Sequence, residues 1–397
     1  MITKIRLYIL FLGVFLFCLQ SCEKDLLEEQ PEKLFKLNIE VDQTIQPHQW
    51  TPMTLHYSEN DKVTSYPGKI KRRGGYSISF PKHSYEIDLN KNISLAGLPK
   101  DDDWILNANY IDKTFIRHVI SYELFTDMNE NNEASKSQYI EVELNGKYNG
   151  LYVLMEKLDR SSLGINKSDP MAVIFKEPHI FRKSYDGIVP QKPDNFHQQT
   201  YPKIYVDDKR EFIEGVREFI LNSPETSFKQ DFSNMFDLNN IIDWHLLILI
   251  SNNSDGILKN FYLYKIDATT PIKIAPWDYD HSFGRDGDNE LNIDERPLNI
   301  ERSILFARLL KFDWYKKMLK ERWEELNEAN LFSKAGLKQR ITSKSRKVRK
   351  KAMENFEIWP VDAPQFFDAN GFDEEIDIML EFVELRHRRL SDYFEEL

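Results

Sequence analysis

Asp255, Asn260 and Asp278 are the residues whose types and spacing could do chemistry. They lie in the stretch NNSDGILKNFYLYKIDATTPIKIAPWDYDHSFG, residues 252–284. An apolar helix ends in Asn-Asn-Ser-Asp-Gly, and Asn260 stands five residues after Asp255. A strand pair follows and ends in Trp277-Asp278-Tyr279-Asp280. A helix end, a short loop and a hairpin end can bring these three side chains together. Carboxylate and amide oxygens suit a hard cation such as Mg²⁺. A phosphoryl-transfer site needs such metal ligands and one further carboxylate to orient the acceptor hydroxyl. Each piece alone also reads as a cap or a turn, since Asp, Asn and Gly favour those positions.

The elements that must position them follow from periodicity. Residues Lys36 to Tyr57 alternate apolar and polar, as strands do, and Lys69 to Arg73 and Ser84 to Leu89 continue that pattern. Gly74-Gly75 marks a turn between them. Asp112 to Met128 carries apolar residues at helical spacing, with Asp112 or Thr114 able to cap it. Tyr139 to Leu144 and Tyr148 to Met155 predict a hairpin closed by Asn145-Gly146. Residues 161–209 read as loops carrying short strands. Phe212 to Leu221 and Leu238 to Asn252 predict helices, the second strongly apolar. Phe261 to Ile266 and Ile272 to Ala275 predict the strand pair. Gly284 to Glu301 is polar, and Ser303 to Leu397 reads as helices broken by a loop at Trp359 to Gly371. Strands come first and helices later, which indicates an α+β body with a small sheet-rich lobe and a larger helical one.

Residues 1–22 read MITKIRLYILFLGVFLFCLQSC. Lys4 and Arg6 precede an apolar run, Leu7 to Leu19, that is too short for a comfortable membrane span. Leu19-Gln20-Ser21-Cys22 resembles the bacterial lipobox. That resemblance implies a signal peptide over residues 1–21 and lipid attachment at Cys22, which would hold the chain at a membrane surface of the cell envelope. The outer membrane is the expected site, with the periplasmic or the surface face left open. Residues 22–34 read as an acidic tether. An ordinary cleaved signal or a short buried helix is the plainer alternative.

Composition narrows the class further. The chain has 397 residues, 13% of them aromatic, and a formal charge of −11. It is long enough for a sizeable core and too aromatic for disorder. So acidic a chain is a poor nucleic-acid binder. Its two cysteines, Cys18 and Cys22, both precede the body, which therefore has no disulfide and no thiolate zinc site. There is no G-x-S-x-G elbow, Walker A loop or G-x-G-x-x-G after a strand. His118, His179, His197, His245 and His281 show no HExxH or paired spacing and read as non-metal.

Protein kinases share this grammar: a catalytic-loop Asp, an Asn five residues on, and a second Asp after a strand pair. Here the second Asp lies in WDYD rather than DFG. The residues Asp255, Asn260, Pro276-Trp277-Asp278-Tyr279-Asp280 and Phe283-Gly284 resemble the spore-coat protein H (CotH) kinase family. Arg73-Gly74-Gly75, Phe80 to Tyr85, Trp104, Asp112 to Arg117, Leu144-Asn145-Gly146 and Glu156 match it upstream, in family order. The resemblance implies an atypical protein-kinase-like domain over residues 35–397, with an N-lobe to about residue 160 and a C-lobe from 161.

By that resemblance Asp255 is the catalytic carboxylate, while Asn260, Asp278 and Asp280 hold Mg²⁺ or Mn²⁺. Arg73, Gly74, Gly75, Lys82 and Glu156 lie around ATP. His83 stands where a second basic residue is frequent in the family. Plainer readings stand beside these. Lys82 could be a solvated strand-end lysine, Glu156 could pair with Lys157, and Arg117 could lie on a solvated helix face. Trp277 reads as packing rather than stacking. The implied activity is ATP- and Mg-dependent phosphate transfer to Ser or Thr of a protein. The alternative is a non-catalytic surface lipoprotein on a kinase-like scaffold.

Overall fold

The computed structural model describes residues 34–59, 62–190, 192–286, 300–362, 364 and 366–397. The expected leader, Cys22 and nearly all of the acidic tether lie outside the described residues, as does most of the polar stretch after Gly284.

Period-two alternation builds the first half. Seven strands among the described residues are β1 (Phe35–Glu40), β2 (Thr51–Glu59), β3 (Lys62–Arg73), β4 (Ser84–Ile93), β5 (Asp101–Asn107), β6 (Ser137–Leu144) and β7 (Lys147–Glu156). They close into a barrel in the order β1-β2-β3-β4-β5-β7-β6. The closing pair is parallel, with Phe35 opposite Ile140 and Ile39 opposite Leu144. Every second residue points inward, so Leu37, Leu55, Ile70, Ile87, Trp104, Val142 and Leu154 fill the interior. The β6–β7 turn has Asn145 at φ 50° and Gly146 at φ 71°, the left-handed pair that a two-residue hairpin requires.

The helix expected from Asp112 begins later, as α1 (Arg117–Met128). Phe115 has φ 61°, which a right-handed helix cannot contain. Asp112 instead closes a turn, its carboxylate accepting the backbone N–H groups of Thr114 and Arg117.

A second sheet has the order β11-β10-β8-β9, built from β8 (Val173–Lys176), β9 (Gln199–Tyr201), β10 (Phe261–Lys265) and β11 (Lys273–Pro276). Around it lie α2 (Arg210–Asn222), α3 (Phe228–Met235) and α4 (Leu238–Ser251). Asp237 caps α4 by accepting the N–H of Asn240. Helix α4 is mostly apolar and buried nearly all round, which marks it as a central helix. Its Trp244 packs on Phe261 and Phe306. The chain ends in α5 (Ile304–Leu309), α6 (Asp313–Glu328), α7 (Lys334–Ile358) and α8 (Phe372–Glu396). The architecture is α+β. Among the described residues no helix is long and apolar enough to cross a membrane.

Candidate functional site

Helix α4 must stop before the loop that carries Asp255, and Asn252 stops it by turning left-handed at φ 54°. Asp255 then sits in a short 3-10 turn, Asp255–Ile257. Asn260 (φ 61°) precedes β10, and Asp278 (φ 59°) follows β11. Left-handed backbone is costly for residues with a Cβ, and Asn and Asp bear it best because their side chains bond locally. Such strain persists only where the surroundings hold it. The hold is visible at Asp278. Its N–H donates to the Tyr122 hydroxyl at 2.9 Å, and its carbonyl oxygen accepts from Asn260 Nδ2 at 2.8 Å.

These residues line one cavity of about 930 Å³ between the barrel and the helical part. Asp255, Asn260, Asp278 and Asp280 form one wall. Arg73, Gly74, Gly75 and Lys82, from the end of β3 and the approach to β4, line it as well. Glu156 does not. Its carboxylate accepts the N–H of Lys136 at 3.2 Å on the far side of β7, while Lys157 pairs with Glu86 at 2.7 Å.

Lys82 is 1% exposed, so it is no solvated strand-end lysine. Its ammonium donates to the Ala108 carbonyl at 2.8 Å and to the Leu151 carbonyl, and lies over the ring of Tyr152. Burial pushes its pKa well below the usual lysine value. Trp277 is buried and packs edge-on against Tyr262. Arg73 and Lys176 approach its ring at 5.5 and 5.4 Å, which sets two cations at the cavity wall.

His118, read from the sequence as non-metal, stands beside the carboxylates. Its Nε2 is 3.4 Å from Asp278 Oδ1, and one ligand atom from each of His118, Asp278 and Asp280 fits within 4.8 Å. Two carboxylates and an imidazole facing one another are a donor set that fits a divalent cation. Desolvation in the cavity opposes the charge on Asp278, whose side chain is 52% exposed, but His118, Lys176 and His281 outweigh it and hold the carboxyl well below the usual range. Burial raises the pKa of Asp280, with Asp278 adding to the effect against the opposing pull of His281. Burial alone would lower His118, yet Asp278 and Asp280 raise it. Asp255 points its carboxylate at Lys259, 2.9 Å away.

Arg117 is buried rather than solvated. It bonds Asp112 at 2.7 Å, Glu375 at 3.0 Å and the Ser282 carbonyl at 2.9 Å. It therefore ties α1 to α8 and to the segment just after Asp280.

A sequence profile described as CotH kinase protein matches residues 70–390. The chain belongs to the CotH kinase protein family. The family resemblance read from the motifs around Asp255 and Asp278 thus holds. The chain is 24% identical over 325 residues to the inner spore coat protein H of Bacillus subtilis (strain 168), covering 82% of this chain and 86% of the relative. Among solved structures, the Helicobacter pylori proinflammatory kinase CtkA aligns over 78% of this chain and 94% of that one, at 9% identity and a TM-score of 0.28.

Sequence reasoning set His118 aside as non-metal and passed over Glu86, Lys176 and Glu177, and all four line the cavity. The apolar run Ala172 to Phe175 ahead of Lys176-Glu177 is one of the short strands expected in the stretch 161–209, though its place there was not specified. Nothing local distinguishes His118 from any other helical histidine.

Proposed function

We propose that this chain transfers phosphate from ATP to a Ser or Thr hydroxyl of a protein, with a divalent metal ion. The observation that supports this best is the convergence of Asp255, Asn260, Asp278 and Asp280 with Arg73 on one cavity. In this reading the barrel is the small lobe and residues from about 161 form the larger helical lobe of a kinase-like domain.

Asp278 and Asp280 hold the metal, and the carbonyl end of the Asn260 amide is free to join them. When bound, the metal neutralises phosphate charge. Arg73 and Lys176 place positive charge along the cavity wall for the phosphates. The turn at Gly74 (φ 130°) lets the backbone approach them closely. Asp255 accepts the proton of the incoming hydroxyl, once Lys259 yields or shares its carboxylate. Lys82 reaches the phosphates only by giving up its carbonyl partners. Glu156 acts outside the cavity, by holding β7 to residue 136.

We also propose that Cys22 is lipid-anchored at the cell envelope. A Cys22→Ser chain is then expected in the soluble fraction. Recovery of that variant with the membranes would refute the anchor.

The decisive experiment follows labelled γ-phosphate from ATP into the chain itself or a Ser-rich acceptor protein, with Mg²⁺ or Mn²⁺. Wild type is expected to transfer and Asp255→Asn to lose transfer. Equal labelling by both would overturn the role of Asp255. One pair of observations favours the non-catalytic reading, in which the chain serves as an interaction scaffold. The Lys82 ammonium is spent on main-chain carbonyls, and Asp255 is closed by Lys259. That reading predicts no labelling and no thermal shift with ATP and metal.

A further inference from the structure

His118 is the second residue of α1, and Arg117 before it is locked by Asp112, Glu375 and the Ser282 carbonyl. With the helix start pinned in this way, the next side chain is aimed at the cavity. The imidazole is 3% exposed and packs edge-on against Tyr122. Its Nε2 faces Asp278 Oδ1 at 3.4 Å. A closed charge-assisted hydrogen bond is shorter, about 2.7–2.9 Å. The gap leaves the nitrogen lone pair and the two carboxylates open to a shared ion. The three ligand atoms come from two separate elements, α1 and the segment after β11, and still fit within 4.8 Å.

We infer that His118 is a nitrogen ligand of the metal in this cavity, and that the site therefore favours a divalent first-row transition-metal ion over Mg²⁺. The inference rests on reading the cavity as a metal-dependent phosphotransfer site. Mg²⁺ demands near-ideal octahedral oxygen ligation and gives up water reluctantly. Imidazole adds little for that ion and favours the first-row transition metals instead. A buried ring wedged against Tyr122 also fixes ligand direction, which a solvated Asn or water would not.

The test uses the full chain with Mn²⁺ alone and no nucleotide. Pulsed electron paramagnetic resonance of bound Mn²⁺ should show coupling to an imidazole nitrogen, and ¹⁵N-histidine labelling should change it. His118→Gln should lose the coupling, while His281→Gln, beside Asp280, should keep it. Substituting partners one shell further out already costs about tenfold or more in metal affinity. Mn²⁺ affinity should therefore fall at least about tenfold in His118→Gln, with Mg²⁺ affinity by competition changing much less.

Bound Mn²⁺ without nitrogen coupling in wild type, or coupling that survives in His118→Gln, overturns the inference. So does an equal loss of both metals, which is what a merely structural histidine would give. Where His118→Gln fails to fold, His281→Gln still decides the matter, because loss of the coupling there would assign the nitrogen to His281 and overturn the inference. Nitrogen coupling without phosphate transfer would sink only the kinase reading. Transfer without nitrogen coupling would sink only this one.

Discussion

The side chain of Asn260 donates a 2.8 Å hydrogen bond to the main-chain oxygen of Asp278, and the main-chain carbonyl of Asn260 in turn accepts the N–H of Trp277 at 2.9 Å. Two residues on neighbouring strand ends are thereby fastened to each other, both in left-handed backbone. The clamp sets where the Asp278 carboxylate points. Loss of the Asn260 side chain therefore reaches Asp278 even if Asn260 never touches a metal.

Asn260→Ala removes this clamp, and Asn260→Asp cannot donate in its place. Displacing a reacting group by about 1 Å can cost about 10²-fold in rate. Both variants are expected to lose phosphate transfer by about that factor, measured as initial rates with labelled ATP. An Asn260→Asp protein of unchanged rate would show that the clamp does not matter.

Asp255 and Asp278 should separate in their effects. Asp278→Asn is expected to abolish the rise in melting temperature that metal and ATP produce. Asp255→Asn should keep that rise while transfer falls about 10²–10⁴-fold, the usual worth of a positioned proton acceptor. The check is a thermal melt and a rate assay on the same preparations.

Glu375 on α8 accepts from both Arg117 and Arg285, and its side chain is 2% exposed. Glu375→Ala takes one of two carboxylates from each of two buried cations, which keep Asp112 and Asp368, so unfolding free energy in urea should drop by about 3 kcal/mol. The exposed pair Arg349–Asp373 is the control, with both side chains more than half exposed. Arg349→Ala should cost no more than about 1 kcal/mol. Similar losses in the two variants would refute the buried network as a brace.

His245 on α4 is fully buried, its Nδ1 3.0 Å from the Tyr315 hydroxyl, and burial pushes its pKa down to about 3 from 6.5. Between those values the unfolded chain takes up a proton that the folded chain refuses. This share of stability is complete above 6.5 and is lost as pH falls towards 3. The loss is about 1.4 kcal/mol per pH unit. His245→Gln keeps a partner for Tyr315 without the titration, so urea midpoints of the variant should fall less steeply from pH 6 to pH 4. Parallel slopes would exclude His245 as a source of acid sensitivity.

Much of this was legible locally. The alternation from Lys36 onward, the Asn145-Gly146 turn and the apolar helix before Asn252 are short-range signals, set by side-chain period and turn chemistry. Strand β5 was hidden because Asp101-Asp102-Asp103 opens it, and the aspartates there face outward or bond their own backbone. The start of α1 was read too early, since the sequence of Asp112 to Ile116 does not reveal that Phe115 is left-handed.

The sequence alone determined the family motifs, the α+β order of elements and the acidic composition, because each is written in residue type and spacing over a few turns or strands. Tertiary structure decided what those residues face. The parallel pairing of β1 with β6 closes the barrel across about a hundred residues. The fold carried Glu156 out of the cavity, sank Lys82 among carbonyls and brought His118 to Asp278. No local pattern encodes such meetings. They depend on how a helix, a barrel edge and a hairpin end pack, and packing is set by the whole core at once.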